Sequence, residues 1–167
     1  MSDSRDLRSQ TVDAWASTIP DIDRQTMETV ALIKSISEAV DRASDQACRD
    51  LDISAAELEL LVPLRHHNGP LTAARLADML HMSRAGVSKH LRRLEDRGLV
   101  VRQASDADRR TAEVTVTDRG RTLTDSTFAR DLAAHRALLQ DSLADPTTVA
   151  VLRRINSAIM GRMDELT

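Results

Sequence analysis

Two short capped helices in immediate succession, followed by a pair of β segments, constrain this chain more than any other feature. Asn68-Gly69-Pro70 is a clear stop. Thr72 then caps a short helix that turns Leu76, Met79 and Leu80 inward. His81-Met82 allows only a tight connection before Ser83 caps the next helix. In that helix Val87, Leu91 and Leu94 recur at helical spacing, and Gly98 ends it. Leu99-Val100-Val101 and Glu113-Val114-Thr115-Val116 read as β-strands, the second alternating. A polar, charged tip from Gln103 to Arg110 lies between them. Helix, turn, helix and two-stranded hairpin in this order predict a winged helix-turn-helix.

The flanks read as helix. A short helix is expected over residues 9–18, ending before Ile19-Pro20, and Asp23 caps a long one to about Cys48. Ser54 and Glu57 form a capping box that opens a helix carrying Leu58, Leu61, Val62 and Leu64, with Pro63 inside it. Thr117 caps a helix to about Leu143, and Asp145-Pro146 breaks it, Pro146 fitting the first turn of a last helix to about Leu166. The fold class is therefore mainly α with a small β-wing. The 167 residues suffice for one domain.

Charge is unevenly spread. Residues 1–60 carry 6 basic and 13 acidic side chains, residues 61–110 carry 10 and 5, and residues 111–167 carry 7 and 8. A basic island in an acidic chain is what a local phosphate-binding surface produces. Within Ser83–Gly98, Arg84, Ala85, Ser88, Lys89 and Arg92 fall opposite the apolar face. A recognition helix needs this division, with short polar and basic side chains turned into the major groove. Arg84 and Lys89 suit guanine edges, and Ser88 suits a base or a phosphate. Thr72 and Ser83 place helix N-termini where they meet phosphates. Arg109 and Arg110, at the hairpin tip, suit the narrow minor groove. A winged helix used for protein docking is the alternative, and it would lack steep salt dependence on duplex DNA.

Other functions lack support. Trp15 and Phe128 are the only aromatic residues, too few for stacking single-stranded nucleic acid. One cysteine, Cys48, excludes an internal disulfide and a cysteine-rich zinc module. It reads as a small buried residue. His66 and His67 are adjacent and so cannot chelate from one helical face, and His81 and His135 lack local partners. Neither a phosphate-cradling glycine loop nor a nucleophile with its base is recognisable, so no catalysis, metal or cofactor is expected. The polar N-terminus and the absence of a long apolar run point to the cytoplasm.

Residues 51–124 resemble the core of the MarR family of bacterial transcription regulators. The likeness rests on Leu71 to Ala77 (LTAARLA), Ser83-Arg84, Arg93 to Val100 (RLEDRGLV), Asp108-Arg109-Arg110, and Val114 to Thr117 (VTVT) followed by Gly120. It implies a homodimer built from the first and last helices, with two recognition helices on a near-palindromic operator in double-stranded DNA. It also implies repression relieved by a small ligand. The expected division is 1–52, N-terminal extension and dimerisation helices; 53–117, the DNA-binding winged helix-turn-helix; and 118–167, C-terminal dimerisation helices.

Trp15 followed by Pro20-Asp21-Ile22-Asp23 is similar to the PecS-like, urate-responsive subgroup, which has an extra first helix bearing a tryptophan. The resemblance puts the subgroup's ligand site on Trp15, Glu59, His90 and Arg102. Glu59 stands where the subgroup has a shorter aspartate, and His90 where it has an arginine. The implied effector is urate or another small organic anion. Arg102 would supply charge, Trp15 an apolar wall, and His90 a donor that titrates near neutrality. A Glu59–His90 pair would join the scaffold helix to the recognition helix, for a ligand to break.

Overall fold

This computed structural model describes residues 3–19, 21–104 and 112–166. Their order is α1 (Asp3–Thr18), α2 (Arg24–Cys48), α3 (Ala55–His66), β1 (Leu71–Thr72), α4 (Ala73–Leu80), α5 (Arg84–Asp96), β2 (Val100–Ala104), β3 (Ala112–Val116), α6 (Asp118–Leu143) and α7 (Thr148–Leu166).

Local chemistry explains most boundaries. Asp23, Ser54, Thr72, Ser83 and Thr117 each accept a backbone N–H from the first turn of the helix that follows. The capping box at α3 is complete, since Glu57 accepts the Ser54 N–H in return. Helix α3 runs through Pro63, which has no N–H to offer the Glu59 carbonyl one turn earlier. Between α4 and α5 the turn is made by His81 in the left-handed conformation, at φ 52°. It lets the Met82 N–H reach back to the Ala77 carbonyl at 3.0 Å.

Three expectations are corrected. Helix α1 begins at Asp3 rather than near residue 9. The expected two-stranded hairpin is a three-stranded antiparallel sheet in the order β1-β3-β2. Leu71 pairs with Val114 and Thr72 with Glu113, so β1 exists only because β3 docks beside it. At the end of α6, Pro146 lies in a turn and α7 starts at Thr148. The Asp145 carboxylate takes the Thr147 N–H at 2.8 Å, which stabilises that turn against helix.

The core sits in the winged lobe. Leu60, Leu61, Leu71, Leu76, Val87, Leu91 and Leu94 are completely buried, and Val100, Val114 and Val116 close the cluster from the sheet. Helix α6 joins this lobe to α2. Gly120 makes the junction possible, because a Cβ there would lie 2.1 Å from the Leu99 carbonyl oxygen. In contrast α7 packs sparsely, mainly on α6 among the described residues, and residues 149–163 are all exposed.

Candidate nucleic-acid interface and ligand cavity

Helix α5 divides cleanly. Val87, Leu91 and Leu94 are fully buried, while Arg84, Lys89, Arg92 and Arg93 are exposed. Ser88 is half-buried on the border. Ser83 is exposed, and its Oγ accepts the Gly86 N–H at 3.1 Å. Thr72 is half-buried, and its Oγ1 accepts the Arg75 N–H at 3.1 Å. Both caps leave a hydroxyl hydrogen and the first-turn N–H groups at helix N-termini, where positive potential gathers. Arg109 and Arg110, with the rest of the wing tip, lie outside the described residues.

Helix α5 is braced at its far end. Arg97 sits 2.9 Å from the buried carboxylate of Glu57 and donates to the Asp52 carbonyl at 2.5 Å. Burial pushes the Glu57 carboxyl up, but hydrogen bonds from Ser54 and the Arg97 guanidinium outweigh it and hold the group below its ordinary range. Arg119 of α6 donates to the Arg97 carbonyl at 3.0 Å. Arg65 grips Asp125 with two hydrogen bonds, at 2.9 and 3.1 Å, and ties α3 to α6.

Trp15, Glu59, His90 and Arg102 stand on four different elements. The Trp15 ring on α1 is half exposed, and Glu59 is exposed on α3. Nδ1 of His90 and Nε of Arg102 are buried without a hydrogen-bond partner. Such atoms are rare in a finished interior. Glu59 and His90 share no hydrogen bond or ion pair among the described residues.

Glu59 instead lines an open cleft of about 540 Å³ bordered by α2, α3, the end of α4 and α6. Its walls include Val40, Leu58, Val62, Leu80 and Phe128, and its carboxylates are Asp41, Asp45, Glu59 and Asp131. Trp15, His90 and Arg102 do not line it. Asp131 is 8% exposed. Its Oδ2 lies 3.5 Å from His135 Nδ1, and its Oδ1 has no hydrogen-bond partner. His135 Nε2 meets Ser44 Oγ at 3.1 Å, so this histidine does have partners, contrary to expectation. Asp131 and His135 are one helical turn apart, a spacing open to view in the sequence. Ser44 is 91 positions away, and only the packing of α2 on α6 supplies it.

Cys48 is buried nearby. Burial first, and then the carboxylates of Asp131 and Asp45, push its thiol up, against a smaller opposing effect of Arg130. A thiol so placed is not a ready nucleophile. Among the described residues, no group of three or more His, Cys, Asp or Glu could hold a metal ion. No described helix is long and apolar enough to cross a membrane.

Known proteins resemble this chain in sequence and fold. The model of the MarR family matches residues 51–111. The HTH-type transcriptional regulator PecS of Dickeya dadantii is 28% identical over 114 residues, which take in 67% of this chain and 69% of PecS. An HTH-type transcriptional regulator of Bacillus cereus, 27% identical over 100 residues, is matched over 65% of its length. Among solved structures, a cysteine-to-serine mutant of MarR from E. coli complexed with operator DNA superposes with a TM-score of 0.72 at 22% identity. The match covers 83% of this chain and 98% of that one. CouR from Rhodococcus jostii bound to p-coumaroyl-CoA gives 0.69 at 24% identity, covering 78% and 90%. These structures share the fold. Over residues 51–111 the chain is similar to the MarR family, and over two thirds of its length it is similar to the HTH-type transcriptional regulator PecS.

Proposed function

We propose that the protein is a homodimeric repressor that reads a near-palindromic operator and is released by a small organic effector. The observation that carries the DNA reading is the division of α5. Three of its apolar side chains are fully buried, and Arg84, Lys89 and Arg92 project from the opposite face. Ser83, Ser88 and Thr72 supply further groups for base edges and phosphates, and Arg109 and Arg110 serve the minor groove. Residues 53–117 act as the DNA-reading unit on this view, with 1–52 and 118–167 making the dimer.

The exposed apolar side chains favour a homodimer. Leu32, Ile33 and Ile36 on α2, and Val151, Leu152, Ile155 and Ile159 on α7, lie open in the single chain. A lone helix of this length draws most of its stability from packing an apolar face. The dimer would set half-sites roughly 10 base pairs apart. The unpartnered nitrogens of His90 and Arg102 favour a small organic anion, urate or another, with Trp15 and Glu59 completing its surroundings. The matching segment of PecS and the CouR ligand complex are consistent with an effector-responsive regulator.

Fluorescence anisotropy on duplex DNA from upstream of the protein's own gene tests this, with and without urate, across a salt series. Tight binding that weakens steeply with salt is expected. Release by urate would identify the effector. Binding indifferent to urate would direct the search to other organic acids. If no operator bound at low salt, the DNA reading would be lost in favour of protein docking.

A further inference from the structure

The start of α6 holds the end of α5 by three successive backbone carbonyls. Arg119 Nη1 donates to the Arg97 carbonyl at 3.0 Å, Thr117 Oγ1 to the Gly98 carbonyl at 2.9 Å, and the Thr117 N–H to the Leu99 carbonyl at 3.1 Å. On the reading of α5 as the helix that enters the major groove, we infer that Arg97 and Arg119 are positioning residues for DNA recognition. They fix the tilt of α5, and so decide where Arg84 and Lys89 arrive in the groove.

The Arg97 side chain ties the same end to a second neighbour. Its Nη2 lies 2.9 Å from Glu57 Oε2, and its Nη1 donates to the Asp52 carbonyl at 2.5 Å, with Asp52 Oδ1 at 3.3 Å. Its Nε donates to the Arg93 carbonyl, one turn back in α5, at 3.2 Å. One guanidinium thus joins α5 to the loop before α3 and to the first turn of α3, while the carbonyl of the same residue is tied to α6. Glu57 is 4% exposed, so this anchor stands in the packed interior. Gly120 brings α6 so close to the Leu99 carbonyl that a Cβ would lie 2.1 Å away, which leaves the junction no slack.

Burial alone does not set a tilt. The buried face of Val87, Leu91 and Leu94 decides which side of α5 turns inward, but apolar attraction has no direction. Hydrogen bonds do have one. Arg84 stands at the other end of this 13-residue helix, about 20 Å along the axis from Arg97. A tilt of about 5° at the Arg97 end would carry Arg84 by about 1.7 Å, more than the range of distances that a hydrogen bond to a base edge allows. Attraction to phosphates falls slowly with distance and would survive such a shift. A loosened junction therefore costs preference for the operator before it costs overall attraction to DNA.

Fluorescence anisotropy on the full chain tests the positioning, with a duplex from upstream of its own gene and a scrambled duplex of the same composition, across a salt series. Arg119 is exposed, so Arg119→Ala leaves no buried charge behind and should melt within about 2 °C of the parent. It is expected to lower the ratio of operator to scrambled affinity about tenfold, with the salt slope unchanged. Arg97→Ala would strand the buried Glu57 carboxylate and endanger the fold, so Arg97→Lys serves in its place. It keeps the charge but loses the planar fork, and should lower the ratio about tenfold as well. An unchanged ratio in either variant would overturn the inference. So would equal weakening on both duplexes with a salt slope lower by about one, the mark of a phosphate contact made by Arg119 itself. A parent without preference for the operator would remove the DNA reading of α5, and the positioning with it. A parent that keeps its preference ties any failure of the variants to the positioning alone.

Discussion

Arg97 Nη2 lies 2.9 Å from Glu57 Oε2, joining the end of α5 to the first turn of α3. Glu57 is also the returning partner of the capping box, so one carboxylate serves two elements. Its carboxyl is held below its ordinary value of 4.5. A carboxylate depressed in this way adds stability that is present above that pH and lost as pH falls through the folded-state value. Arg97→Ala should cost about 3 kcal/mol, because it strands a buried charge. The variant should also lose stability less steeply on acidification. Chemical denaturation from neutral pH down through the carboxylate range checks both, and equal acid limbs in variant and parent would refute the coupling.

Gly120→Ala should cost about 3 kcal/mol or more. The added Cβ would lie 2.1 Å from the Leu99 carbonyl oxygen and 2.7 Å from Val116 Cγ2. That carbonyl already accepts the Thr117 N–H at 3.1 Å, so it cannot retreat freely. A thermal melt unchanged from the parent would contradict this close approach.

His81→Gly should raise stability by about 0.5–1 kcal/mol, since glycine adopts the left-handed conformation at φ 52° without the side-chain penalty. DNA affinity should hardly change. A lower melting temperature would mean that the His81 side chain contributes contacts that outweigh its backbone strain.

Arg84→Ala and Lys89→Ala should separate two kinds of DNA contact. Loss of a base contact costs about 1–3 kcal/mol and relaxes preference at one position, whereas loss of a phosphate contact lowers the salt slope by about one. Anisotropy on operator and scrambled duplexes at several salt concentrations distinguishes them. If both variants matched the parent on both duplexes, α5 would not be the reading element.

His90→Ala should abolish or blunt release of DNA by the organic acid that releases the parent, while affinity for DNA alone stays within a few-fold. Unchanged release would remove His90 from the effector site. On the proposed reading, His90→Arg, which puts a permanent cation at this position, should sharpen the response to urate.

The features legible from local chemistry alone lie within a turn or two of chain. The caps at Ser54, Thr72, Ser83 and Thr117 stand where short-range hydrogen bonding puts them, because a side chain needs only to reach three residues on. The two faces of α5 are legible for the same reason, since helical periodicity assigns them before any packing occurs. So is the outward placing of Arg84, Lys89 and Arg92, all three of which are exposed. Tertiary structure decided the rest. Strand β1 is two residues long and has no pattern of its own, and it forms because Val114 and Glu113 present a free edge. The Ser44–His135 contact and the cavity floor at Asp131 arise where α2 packs on α6, the contact spanning 91 positions of chain. Glu59 reads as one of four ligand residues in sequence, and the packed helices make it part of a cavity lining shared with Asp41 and Asp45. Distant side chains meet only when buried apolar faces choose their partners, and no local spacing encodes that choice.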